Sequence, residues 1–185
     1  MLDAARDLLL ERGSGSATLE AISDLSGAPI GSIYHRYGSR DGLLTKLWIR
    51  AVCRSQASFL AALEDEDPGN AALNAALSIV DFCDESPADA RLLVSFRHED
   101  LVRVTPEGEL ATELAQLNRP VERAVVRLAR RLYGKPTRKA LDRTLLAVFD
   151  LPYGAARRHL INGKKLPPGL RDDLVRAVTA VVDGP

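Results

Sequence analysis

The stretch Thr18-Leu19-Glu20-Ala21-Ile22-Ser23-Asp24-Leu25-Ser26-Gly27-Ala28-Pro29-Ile30-Gly31-Ser32-Ile33-Tyr34-His35-Arg36-Tyr37 decides the fold. Thr18 suits a helix N-cap, where a side-chain oxygen accepts from an otherwise orphaned backbone N–H. The helix it opens is expected to end near Leu25, with Leu19 and Ile22 on one face. Ser26-Gly27-Ala28 reads as a turn, in which glycine takes a positive φ at low cost. Pro29 fits the first position of a second helix, where its missing N–H is not needed, and that helix is expected over 29–36. Ala28, Ile33 and Tyr37 pack back on the first helix, giving a helix-turn-helix. Ile30, Ser32, Tyr34 and His35 then point outward, where hydroxyls and ring nitrogens can reach phosphates or base edges. Helix pairs of this size also occur in proteins that never touch nucleic acid, and Ser and Tyr on a short helix are often plain surface. Spacing alone leaves both readings open.

Outward from this stretch the period stays helical, and no alternating strand pattern occurs. A helix over 2–12 places Leu2, Ala5, Leu8 and Leu9 on one face, and Gly13 stops it. Ser39 caps a long helix over 40–63, followed by the acidic loop Glu64-Asp65-Glu66-Asp67. Asp67-Pro68 and Ser86-Pro87 each read as an N-cap with proline at N1, opening helices over 68–85 and 87–103. Thr105-Pro106 repeats the signal, and the following stretch to Tyr133 must bend or restart at Pro120. Further helices are expected over 137–161 and from Pro167-Pro168 to about Val182. The expected class is all-α.

The totals restrict function. Net charge is zero over 185 residues, so any nucleic-acid binding must come from a local surface. Cys53 and Cys83 are too few for a disulfide framework or a zinc site of their own, and both read as small core residues. No apolar run nears the ~20 residues of a membrane span, and the charged start is no secretory signal, so a cytoplasmic location without membrane association is expected. The histidines His35, His98 and His159 sit in no nucleophile, zinc-helix or phosphate-loop motif, and no cofactor motif occurs. An all-α enzyme is the weaker alternative.

Leu2-Asp3-Ala4-Ala5, Glu11-Arg12-Gly13, Thr18-Leu19, Ile22-Ser23, Gly27-Ala28, Gly31-Ser32-Ile33-Tyr34 and Tyr37-Gly38-Ser39-Arg40-Asp41-Gly42-Leu43-Leu44 together resemble the DNA-binding domain of the tetracycline-repressor (TetR) family. The resemblance implies a DNA-binding domain at 1–48 and a helical ligand-binding and dimerisation domain at 49–185. It implies a homodimer that places two recognition helices on a palindromic double-stranded operator and releases it when a small molecule binds. By the same resemblance Thr18, Ser32, Tyr34 and Arg40 hold phosphates, and Ile30, Gly31 and His35 lie at or near the bases. The sequence departs from the family pattern at Ser14, Glu20, Pro29 and Ile30. Through Arg50 it carries six Lys/Arg and six Asp/Glu. No basic arm precedes the first helix, so weak non-specific DNA binding is expected.

Beyond residue 50 the resemblance is architectural. It implies a ligand cavity within the helices between 50 and 133, with Phe59, Phe82, Cys83, Phe96 and His98 as candidate lining. Phenylalanines at helical spacing are more often plain core, and a histidine beside Glu99-Asp100 is more often a surface or loop-capping residue. Arg119, Arg123, Arg127, Arg130 and Arg131 form a basic stripe that reads first as a solvated face. Leu141, Leu145, Val148, Phe149, Pro152, Tyr153 and Ala156 make one apolar face, and Leu174, Val178 and Val181 another. The resemblance implies that the two form a dimer interface across a two-fold axis; burial within one subunit is the alternative.

Overall fold

The computed structural model describes residues 1–184, and among them every regular element is helical. The order is α1 (Leu2–Arg12), a 3₁₀ turn (Ser14–Ser16), α2 (Leu19–Ser26), α3 (Ile30–Tyr37), α4 (Arg40–Ala62), α5 (Pro68–Glu85) and α6 (Pro87–Ser95). There follow α7 (His98–Leu101), α8 (Gly108–Gln116), α9 (Arg119–Tyr133), α10 (Arg138–Leu145), a π-helical turn (Leu146–Asp150), α11 (Leu151–Leu160) and α12 (Leu170–Asp183). The caps do the work assigned to them: Thr18 Oγ1 accepts from Ala21 N at 3.2 Å, Ser39 Oγ from Gly42 N at 3.0 Å and Asp67 Oδ1 from Asn70 N at 2.7 Å.

The proline signals were less exact. Pro29 is the N-cap of α3, so that helix starts and ends one residue later than expected. The helix expected over 87–103 breaks after Ser95, and Asp100 Oδ2 restarts it by accepting from Arg97 N at 2.8 Å. Thr105-Pro106 opens no helix; Asp41 Oδ2 takes the N–H groups of Arg103 and Val104, each at 2.9 Å, and α8 begins only at Gly108. Pro120 sits in the first turn of a restarted α9, where proline is tolerated. Pro167-Pro168 forms a turn before α12, in which Pro167 O accepts from Leu170 N at 3.0 Å, and the helix starts at Leu170.

Packing divides the chain into two units, and α4 contributes to both. The first comprises Met1–Cys53 and Ala88–Leu117. Its core joins Ala5, Leu8 and Leu9 of α1, Leu19 and Ile22 of α2, Ile33 of α3, Leu43, Leu44 and Leu47 of α4, Leu92 of α6 and Leu101 of α7. The division expected at 48/49 falls inside α4, and the segment 88–117 packs with the helix-turn-helix. Asp89 of α6, almost wholly buried, takes a 2.8 Å bond from Arg6 of α1, with Arg50 of α4 at 3.9 Å.

The second unit comprises Arg54–Pro87 and the chain from Asn118 onward. Its centre is α5, which packs against α9, α11, α12 and the π turn. Ala71, Ala72, Ala75 and Ala76 are fully buried there, and their small side chains let neighbouring helices approach. Phe59, Leu63, Val125, Leu128, Val148 and Val178 complete this core. Arg131 of α9 closes the C-terminal end of α4 by donating to the carbonyls of Leu63 at 3.0 Å and Glu66 at 2.9 Å, and to that of Asp65. Arg127 pairs with Glu64 at 3.0 Å, so part of the basic stripe is engaged locally.

One glycine is required by close approach. A Cβ at Gly42 would stand 2.2 Å from the Tyr37 carbonyl oxygen, where the chain leaves α3 and enters α4. Gly42→Ala is therefore expected to lower the unfolding free energy by about 1–3 kcal/mol, the scale of overpacking. Denaturant titration reads this directly, and an unchanged midpoint would count against the contact.

Candidate nucleic-acid interface

The turn between α2 and α3 is built from local chemistry. Gly27 adopts φ 68°, the left-handed region. Ser23 Oγ donates to Ala28 O at 2.8 Å, and Ser26 Oγ accepts from Ala28 N at 3.3 Å. With Ile22 and Ile33 fully buried and Tyr37 packed on the same core, the orientation of α3 is fixed from beneath. Ile30, Gly31, Ser32, Tyr34, His35 and Arg36 are all exposed. Thr18 is exposed too, and its cap bond uses only the oxygen, so its hydroxyl proton remains available to a phosphate. Two exposed side chains escaped the sequence reading. Arg36 lies with its guanidinium carbon 5.6 Å from the Tyr37 ring centre, and Leu25 at the end of α2 is 57% exposed. Leu25 falls on the polar flank of an amphipathic pattern, which gave no signal for it.

Arg40 corrects an expectation. In place of reaching outward to a phosphate, its guanidinium donates to Ala17 O at 2.7 Å, Ser14 O at 2.8 Å and Leu101 O at 3.1 Å, and pairs with Asp41 at 2.9 Å. It ties the α1–α2 loop, α4 and the end of α7 together inside the first unit.

The five side chains expected to line a cavity fall in different units. Phe59, Phe82 and Cys83 are buried in the second unit. Burial pushes the Cys83 thiol up to about 11, so it stays protonated near neutral pH; Cys53, expected in the core, is exposed. In the first unit, Phe96 packs on the core around α1 and α4. His98 is buried beside Trp48, with ring centres 6.4 Å apart. Thr45 Oγ1 lies 2.8 Å from Asp41 O and 3.0 Å from His98 Nε2. The threonine proton goes to the Asp41 carbonyl, so His98 must donate from Nε2. Burial holds the imidazole below its ordinary range against the opposing pull of Glu99 and Asp41.

The apolar faces expected to form an interface also divide. Val148, Leu174 and Val178 are buried in the chain's own core, and Pro152 and Ala156 are buried as well. Leu141, Tyr153 and Val181 are half-buried. Leu145 is 40% and Phe149 43% exposed, joined by Leu146 and Ile161. Phe149 stacks on Tyr153 at 5.3 Å.

Residues 1–47 match the model of the family described as bacterial regulatory proteins, tetR family. No curated protein matches the sequence. Among solved structures the chain is similar to a TetR family transcriptional regulator, PfmR, from Thermus thermophilus, with a TM-score of 0.70 at 15% identity over 99% of this chain and 97% of that one. It is similar to the fatty acid degradation regulator FadR from Bacillus halodurans, with a TM-score of 0.70 at 14% identity over 100% and 97%. A TetR-like transcriptional regulator from a Rhodococcus species gives 0.65 at 17% identity over 98% and 90%. The geometry is that of a helix-turn-helix whose second helix is exposed, on an all-helical chain. Residues 1–47 thus resemble the N-terminal domain of the tetR family, and the whole chain shares the fold of these solved regulators. Among the described residues no helix is long and apolar enough to cross a membrane.

Two expectations test the interior of this unit. Arg40→Ala should cost about 2–4 kcal/mol, because it strands three carbonyls and an aspartate; the salt slope of DNA binding should stay unchanged, whereas a phosphate-bound arginine would flatten it by roughly one unit. His98 sets a pH dependence. Below its unfolded value of 6.5 the unfolded chain takes up a proton that the folded chain resists, so stability should fall from about pH 7 toward pH 5 and level off below the folded value. His98→Gln should lose that slope when melts are compared across the window; parallel profiles would refute the assignment.

Proposed function

We propose that the protein is a homodimeric, operator-binding repressor that acts in the cytoplasm, is not an enzyme, and leaves its DNA when a small molecule binds. The carrying observation is α3: five outward side chains around Gly31 on a helix fixed from beneath by Ile33, in a domain that matches a family of bacterial regulatory proteins. In this reading residues 1–48 bind DNA, and 49–185 bind the effector and a second chain. Ser32, Tyr34 and Thr18 hold phosphates, while Ile30, Gly31 and His35 face the bases. Leu145, Leu146, Phe149 and Tyr153 supply the exposed part of the dimer face, since a ring stack and two leucines in water favour burial against a like surface. Phe59, Phe82, Cys83, Phe96 and His98 remain the candidate ligand contacts.

A second reading has its own support. The first unit carries nine Lys/Arg against twelve Asp/Glu, an unfavourable balance for approaching a polyanion. It describes a ligand-binding dimer of the same fold that does not bind an operator.

Selection from a random DNA library decides between them. The repressor should enrich an inverted repeat with half-site centres about 34–36 Å or a multiple apart, bound by two chains. A folded dimer that enriches nothing at low salt would leave the second reading.

A further inference from the structure

Gly31 occupies the centre of the exposed face of α3, and nothing inside the chain accounts for it. Its backbone is helical with no positive φ, and a Cβ there would meet no atom within 4 Å. Glycine inside a helix costs about 0.5–1 kcal/mol relative to alanine, and α3 has only eight residues. The chain thus carries an internal cost that alanine would remove without a clash.

Helical rotation of about 100° per residue shows what surrounds the gap. Ile33 and Tyr37 face the core, so Gly31 and His35 point directly away from it. Ile30 and Tyr34, 38% and 53% exposed, run along one side as an apolar wall. Ser32 and Arg36 run along the other, and Gly31, Ser32, His35 and Arg36 line one shallow hollow together with Met1. No acidic residue lies in α3 to accept from a cytosine amino group.

We propose that the Gly31 notch and its Ile30–Tyr34 wall receive the C5-methyl group of a pyrimidine, thymine in ordinary DNA, in each half-site. The inference rests on the DNA-binding reading and gives it a specificity element. A methyl is the one apolar feature that the major-groove edge offers. A residue without a side chain lets it reach the helix backbone, while Ile30 and the Tyr34 ring remove it from water. His35 supplies a polar contact to a neighbouring edge, and Ser32 holds the backbone phosphate beside it.

The test uses the selected operator with deoxyuridine replacing each thymine in turn, which deletes only the methyl group. At one symmetric position, affinity should fall about four-fold per half-site, roughly fifteen-fold for the dimer, the value of one buried methyl. Where cytosine replaces that thymine, 5-methylcytosine should bind more tightly than cytosine. Gly31→Ala should melt at the same or a higher temperature, bind the operator at least ten-fold more weakly and no longer distinguish thymine from deoxyuridine. An enriched operator with no methyl-sensitive thymine overturns this inference alone, as does a Gly31→Ala protein that keeps the discrimination. A folded dimer that enriches no sequence overturns the DNA reading and this inference with it.

Discussion

The first unit depends on one guanidinium. Arg40 opens α4, and its five N–H donors are spread over the carbonyls of Ser14, Ala17 and Leu101 and the carboxylate of Asp41. Asp41 in turn holds the N–H groups of Arg103 and Val104. Two adjacent residues of opposite charge therefore join the loop before α2 to the segment after α7. The planar fork of arginine suits this, because it satisfies several fixed acceptors from one partly buried position. The buried Asp89, with Arg6 and Arg50, makes a second link of the same kind among α1, α4 and α6. With these in place, α3 needs no polar anchor of its own and can turn its polar side chains outward.

The charge balance has a consequence for recognition. Many of the basic residues near the helix-turn-helix are already paired with acids: Arg6, Arg40 and Arg50 bind aspartates, and Lys46 pairs with Glu113 at 2.5 Å. On the proposed DNA-binding reading, little positive charge is left for phosphates, and the non-specific share of DNA affinity would be small. What α3 offers is shape, with a gap at Gly31, an apolar wall and a few neutral donors. On that reading such a surface would rely on contacts to base edges more than a basic one does.

The second unit shows how one proline sorts an apolar stripe. Pro152 lacks the N–H that Val148 O would accept in a regular helix, and its ring excludes that carbonyl. The preceding turn widens into the π turn Leu146–Asp150, which keeps the helix running from Arg138 to Leu160. Through this turn Val148 points into the core and Phe149 points out, where it stacks on Tyr153. In a regular helix Val148 and Phe149 lie about 100° apart at the two margins of one broad apolar stripe, so the sequence does not say which margin is core and which is exposed.

The sequence by itself determined the elements whose causes are local. Thr18, Ser39 and Asp67 fixed helix starts because a cap needs only its own first turn, and Leu19, Ile22 and Ile33 fixed the helix-turn-helix because apolar spacing survives any surroundings. Exposure of Ile30, Ser32, Tyr34 and His35 followed from that geometry. Only the tertiary structure decided the role of Arg40, the burial of His98 against Thr45, the break at Phe96–Arg97 and the outward Leu25. The first two depend on partners far away in the chain: Leu101 lies sixty-one residues beyond Arg40, and His98 fifty-three beyond Thr45. A charged or polar side chain looks the same in sequence whether its partner is water, a phosphate or a distant carbonyl, and packing alone chooses among them.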